Sequence, residues 1–525
     1  MLTRQQVHEN IYFISLLGVA IGLPLNKIVL SLSGILMAAN WLIEGNFRDK
    51  IIEIKRQKSG LLFTLLFLIL AISLIYTENL NYGQNDLRIK LPMLLFPIVI
   101  LSSKTLDFNK YYYIILGFLL SVVLVTVINY INFITGIYSG TDCREMSLFG
   151  SHIRLSLMVT FCFFVALYGA WINFRGLRYA LISIAFWLLF YTYKSEVLTG
   201  YFSMIFTFLM LLFWSVYNQV GQHRKFILIL SLALSFFTVY LFYLAIYPIP
   251  KESMTKKSFT ETTIHGGKYQ HDTTSIILEN GYYIHYFVCH AELDSMWHLK
   301  TGESIEEFSK EQPDLFPTLI RYMSSLGLRK DAEGFTKLSD KDIKNIIHGI
   351  PSVVYAEGGI KSRLARINIE FQKYLENADP NGSTIQQRLE YWRTGRNIIE
   401  SNPIFGVGVG DVQDAFFYQF KMNRSRLFPE NQLHSHQQFM TIWISSGIFA
   451  LLIFILHILL MFYVAFRKKS ILLFLFNTIL TFSYFFEDTL ETQVGVTLAA
   501  FFITFLFKQE QEQPHFDSSK NKQSR

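Results

Sequence analysis

His434-Ser435-His436-Gln437-Gln438-Phe439 stands where a long polar segment gives way to an apolar run. An imidazole titrates near neutrality and can take the proton of an attacking hydroxyl, so His436 is a candidate general base for transfer to an alcohol. His434 lies beside it as a candidate substrate contact. Two groups of cations flank other apolar runs: Arg88 and Lys90 in TENLNYGQNDLRIKLP, and Arg154 in SHIRLSLM. A guanidinium at a membrane edge is costly unless it is paired or faces a polar cavity, and its fork matches phosphate oxygens. The bland alternatives are an interfacial histidine and an arginine that snorkels to the headgroups.

Arg388, in QQRLEYWRTGRN, begins an amphipathic stretch that runs into SNPIFGVGVGD, where Gly406, Gly408 and Gly410 alternate. Such a turn can offer backbone N–H groups to an anion, or it can simply pack closely against a neighbour. Tyr391, Trp392 and Trp443 are candidate sugar or lipid contacts, though aromatics at interfaces also serve as anchors. Several patterns are missing: G-x-x-x-x-G-K-[ST], G-x-S-x-G, H-E-x-x-H and an Asp/Asn-rich calcium loop. ATP-driven transport and zinc hydrolysis therefore lack support. His285, Cys289, His290 and His298 fit no standard zinc spacing and read as scattered polar positions. Of the three cysteines, Cys143 and Cys289 fall on the same side and leave room for one facultative bridge.

The elements that must position these residues are apolar. Hydrophobic residues make up 51% of the 525 and charged ones only 17%, and the apolar residues gather into long runs. Each bilayer crossing needs roughly 20 of them. Twelve segments qualify, at 11–25, 28–43, 60–76, 91–103, 111–136, 153–173, 179–193, 197–217, 225–248, 437–465, 470–486 and 494–507, of which the fourth and twelfth are short. The first is followed at once by further spans and is expected to be a retained helix. With the N-terminus inside, nineteen Lys and Arg fall on the cytoplasmic side and six in the short loops opposite. That asymmetry puts both ends in the cytoplasm and 249–436 outside, and it accounts for the net charge of +7 without a nucleic-acid partner.

The expected architecture is an all-α polytopic membrane protein of about twelve transmembrane helices with one large, mainly helical extracytoplasmic loop. Its parts are a bundle at 1–248 with about nine spans, the loop module at 249–436, C-terminal spans at 437–507 and a disordered cytoplasmic tail at 508–525. Within the module, helical periodicity is expected over 303–326, 359–378 and 384–400, while 276–289 suits either a strand pair or an amphipathic helix.

R-L-E-Y-W-x-x-G, then N-P-I-F-G-V-G-V-G-D, then S-H-Q-Q-F and W-I-S-S-G-I-F resemble, in order and spacing, the signature of the O-antigen ligase and O-antigen polymerase superfamily. GLRKDAEGFTKL, DIKNIIHGIPS and FFEDTLETQVGVTLAAFF are similar to the members with a large outer loop. The resemblance implies an inverting, metal-independent glycosyltransferase of the bacterial inner membrane that needs no cofactor. Its donor would be a glycan on a polyprenyl diphosphate, and its acceptor a lipid A core, another glycan or a protein side chain. By the same resemblance His436 and Gln437 take the place of a His-Asn pair, and Arg388 that of a basic residue ahead of the glycine turn. Gln437 departs from the usual Asn. Gly200-Tyr201-Phe202 stands where many members have Ser-Arg, leaving Lys194 as the nearest cation. Ligase, polymerase and protein O-oligosaccharyltransferase activities share this pattern. A transporter of lipid-linked substrates is the alternative of another class, and a structural assembly scaffold is a third.

Overall fold

A computed structural model describes residues 3–135, 146–218 and 260–512, with scattered positions between 229 and 251. It is 76% helical with almost no sheet and divides into two compact units. One comprises Met1–Leu232, Glu390–Ser425 and Gln432–Arg525, and the other Ala233–Leu389 with Arg426–Asn431. The first holds the membrane helices.

Seven of the twelve expected segments are helices long and apolar enough to cross a bilayer: Arg4–Leu25, Lys27–Glu44, Ser59–Tyr76, Phe108–Ile134, His152–Trp171, Leu198–Val216 and Gln438–Lys468. Four others are helices that are shorter or less apolar, namely Pro92–Ser102, Arg178–Ser195, Ile471–Phe486 and Gln493–Glu512. The ninth expected segment, 225–248, falls mostly outside the described residues, as do residues 513–525 of the expected tail and Cys143. Cys289 is buried with a free thiol.

Local chemistry sets the helix ends. Asn26 closes the first helix and its side chain accepts the N–H of Ile28 to open the second, so two spans turn on one residue. Asp107 and Ser470 cap the Phe108 and Ile471 helices in the same way. The last helix is the hub of this unit. Val496, Phe501, Phe502, Leu506 and Phe507 are fully enclosed, with Phe501 against Phe96 and Phe502 against Phe118, Phe161 and Phe476. Leu452, Leu456 and Leu459, by contrast, lie exposed on one apolar face of the Gln438–Lys468 helix, as suits a helix that faces lipid.

That helix is broken. Ser446 and Gly447 leave helical geometry, Gly447 with φ 75° and ψ −173°, which frees the carbonyls of Ile444 and Ser445. Freed carbonyls near a membrane must find donors. The glycine turn supplies them: Val407 N–H donates to Ile444 O at 2.8 Å and Gly408 N–H to Ser445 O at 3.0 Å, while Ile448 N–H returns to Pro403 O at 3.1 Å. The next two amides are also engaged, Val409 N–H by Ser73 Oγ and Gly410 N–H by Thr77 Oγ1. Asp411 then receives the backbone N–H groups of Glu78 and Asn79. The turn is a strut whose donors are already used, so of the two readings of its glycines the close packing holds.

The second unit is built around Trp297, Leu319, Tyr322, Met323 and Ile346. Its helices include Ile305–Glu311, Leu315–Ser325, Gly359–Leu375 and Thr384–Ser401, the last of which continues into the first unit. Pro313 separates the first two, which splits the helix expected over 303–326. The 276–289 stretch opens as a strand pair, Leu278–Glu279 against Tyr282–Tyr283. Asn280 and Gly281 both take positive φ there, as a tight hairpin turn requires.

A Cβ on Gly447 would meet Ile404 O at 1.9 Å, in a backbone conformation that side chains rarely adopt. Gly447→Ala is therefore expected to cost about 3 kcal/mol or more, read as a fall in the melting temperature of the detergent-purified protein.

Candidate functional site

Three carboxylates gather in the short connection between Phe486 and Gln493, and the candidate histidines meet them there. Asp488 Oδ2 lies 3.0 Å from His434 Nδ1 and 3.4 Å from His436 Nδ1. The other face of the same residue is held by Arg154, whose Nη2 donates to Asp488 O at 3.1 Å and stands 3.5 Å from Oδ1. Glu487 lies 4.0 Å from Arg154 Nη1. Arg154 and Asp488 are both buried. Removing one member would leave an uncompensated buried charge, at a cost of about 3–5 kcal/mol.

The backbone presents His436 in an uncommon way. It is one of the few side-chain-bearing residues with φ in the left-handed region, at 47°. Such a conformation persists where neighbours over-determine it. Ser435 does so on one side: its carbonyl accepts from Trp392 Nε1 at 3.1 Å, and its hydroxyl is 2.7 Å from Thr441 Oγ1. Gln437 does so on the other, accepting the N–H of Met440 at 2.6 Å as N-cap of the membrane helix. Tyr391 packs its ring 5.7 Å from that of His436. The Gln437 amide thus has a structural use: its carbonyl starts the span that follows the histidine.

A second chain of contacts fixes the carboxylate turn. Gln438 is fully buried; its Oε1 accepts the N–H of Leu490 at 2.7 Å and its Nε2 donates to Glu491 at 3.0 Å. Glu491 lies 2.6 Å from Lys90 Nζ, and Lys90 also binds Asp86 at 2.7 Å. Burial lifts the Asp86 carboxyl to about 6 despite the adjacent ammonium. Lys90 and Arg154 therefore face Asp86, Glu487, Asp488 and Glu491, and the carboxylates outnumber the cations.

Of the residues expected from the sequence, the fold brings His434, His436 and Arg154 together on one carboxylate and joins Lys90 to them through Glu491 and Gln438. Arg88 is exposed and donates to Asn85 Oδ1 at 2.7 Å, on a different face of its helix from Lys90. Arg388 belongs to the other compact unit. Asp488, Glu487, Glu491 and Gln438 were not among the expected residues. Their signal was three acids within FFEDTLET, between two apolar segments. The ligand atoms of His434, His436 and Asp488 lie within 4.8 Å of one another, close enough to share a metal ion. The Arg154 guanidinium on the same carboxylate opposes a cation there.

Burial works against a charge on His434, but contact with Asp488 outweighs it and holds its pKa above the ordinary imidazole value. Burial likewise opposes the Asp488 carboxylate, and the two histidines reverse this, holding its pKa well below the usual range. A raised histidine pKa contributes stability that is complete below about pH 6.5 and is lost as pH rises through the folded value. The difference in melting temperature between the wild type and His434→Gln is expected to be largest near pH 6 and to shrink toward pH 9. A constant difference across that range would sever His434 from Asp488.

No curated protein sequence matches the chain. Residues 346–455, however, match the family model described as O-antigen ligase. The match includes the glycine turn, the break in the Gln438–Lys468 helix and both histidines, and over this stretch the chain is similar to the O-antigen ligase family.

Proposed function

We propose that the protein transfers a glycan from a polyprenyl diphosphate to an acceptor hydroxyl at the outer face of the bacterial inner membrane, with both chain ends in the cytoplasm. The observation that carries this reading is the pairing of His436 Nδ1 with Asp488, on a backbone that strain and capping hold in one conformation. Nδ1 against the carboxylate favours a proton on that nitrogen, which leaves Nε2 to act as base.

In the transfer, the acceptor oxygen attacks the anomeric carbon from the face opposite the diphosphate. The new C–O bond forms as the bond to the phosphate oxygen breaks, and the electron pair leaves with the diphosphate. The hydroxyl proton passes to His436 Nε2, and Asp488 stabilises the imidazolium. Arg154 and Lys90 keep the carboxylate turn in register. Arg88 is a further cation for the donor or for an anionic acceptor. The acceptor is a lipid A core, a growing glycan or a protein side chain, all of which present the hydroxyl that the base requires. Ligation is the reading closest to the description of the matched family.

The test uses the purified full chain with polyprenyl diphosphate glycan and a panel of acceptors. His436→Ala is expected to lower turnover about 10²–10⁴-fold while leaving donor affinity within about twofold. A chelator is expected to change neither. Wild-type turnover in the variant would remove the base assignment. Loss of activity with a chelator, restored by a divalent ion, would instead give the two histidines and Asp488 to a metal.

A further inference from the structure

Arg154 has one donor that the carboxylate turn does not use. Its Nη1 and Nη2 face Glu487 and Asp488, while its Nε, on a side chain only 7% exposed, has no partner. A buried donor left unmatched is costly, and native structures normally supply it with an acceptor. Arg154 also lines a cavity of about 120 Å³, where about 15 Å³ suffices for one water. The space suits a larger acceptor.

The walls of that cavity fit an anion. Lys27 stands on them, exposed and without an ion pair among the described residues. So does Ser151, which opens the His152–Trp171 helix without a side-chain cap and so leaves the positive end of the helix dipole to another acceptor. No Asp or Glu lines the cavity. Leu155, Met158 and Val494, from the ends of two membrane helices, make the rest of the lining largely apolar.

Depth decides what kind of anion this is. The first span ends at Leu25 and the second begins at Lys27, while His152 begins another, so the cavity lies where helices leave the hydrocarbon core. Lipid phosphates lie at that level, and basic pockets between membrane helices take anionic headgroups. The ammonium of a zwitterionic lipid would find no carboxylate on these walls.

We propose that this cavity binds the phosphate of an anionic phospholipid. A phosphate oxygen accepts from Arg154 Nε, Lys27 balances the charge, and the first carbons of the lipid lie on Leu155, Met158 and Val494. The guanidinium is then held through all three of its nitrogens, so an anionic lipid steadies the turn that carries Asp488. The site contains neither histidine and is occupied whether or not a glycan is transferred.

The experiment is native mass spectrometry and thermal unfolding of the full-length protein, purified in a maltoside detergent and stripped of lipid. Phosphatidylglycerol, phosphatidylethanolamine, a neutral diacylglycerol, inorganic phosphate and polyprenyl diphosphate are the probes. One phosphatidylglycerol is expected to be retained and to raise the melting temperature, with phosphatidylethanolamine at least about fivefold weaker and diacylglycerol without effect. Lys27→Gln is expected to weaken retention of phosphatidylglycerol about fivefold, and Lys27→Glu to abolish both the retention and the thermal shift.

Equal retention of phosphatidylglycerol and diacylglycerol, or retention unchanged in Lys27→Glu, would leave water as the partner of Arg154 Nε and overturn the proposal. Inorganic phosphate that gives the full thermal shift at the same concentration as the lipid would overturn the lipid assignment in favour of a soluble anion. Displacement of phosphatidylglycerol by an equal amount of polyprenyl diphosphate would give the cavity to the glycan donor and overturn it likewise.

Discussion

One carboxylate carries this site. Asp488 is buried, and a buried charge is tolerated only when it is paired. Its partners are two imidazoles on one side and a guanidinium on the other. Every element that contributes a partner is thereby tied to the connection between the last two helices: the His152–Trp171 span through Arg154, and the end of the polar segment through His434 and His436. Glu491, three residues on, adds the Leu80–Lys90 helix through Lys90. The same electrostatic need that fixes these elements also fixes the orientation of the His436 ring.

A second constraint supports the first. A membrane helix broken at Ser446-Gly447 exposes carbonyls that lipid cannot satisfy, and the alternating glycines let a backbone approach closely enough to donate to them. The break lets the first turns of the span, with Gln437 as their cap, take a direction of their own. His436 precedes that cap. The enclosed final helix, packed through Phe501 and Phe502, gives the carboxylate connection a rigid base.

Much of this was legible in the sequence. Apolar run length marked seven of the spans, and the position of His436 before one of them singled it out as the candidate base, because both signals are local. The glycine spacing pointed to a close backbone approach, although what it approached was not in the spacing. Pairing across long separations was hidden. Lys90 and Arg154 looked like phosphate ligands because Glu491, Glu487 and Asp488 lie hundreds of residues away, although Asp86 stands one helical turn before Lys90. Asp488 did not stand out because its histidines precede it by about fifty positions. Gln437 looked like a departure from the family pattern, and its use as a cap depends on a backbone conformation that sequence does not show.

The central claim is that Asp488 serves the reaction by holding and polarising His436. The most direct measurement is the steady-state kinetics of Asp488→Asn, which keeps the shape of the side chain and removes its charge. The expected result is a fall in kcat of about 10²–10⁴-fold, a KM for the donor within about twofold of the wild type, and a melting temperature showing that the protein remains folded. A folded variant with wild-type kcat would contradict the account.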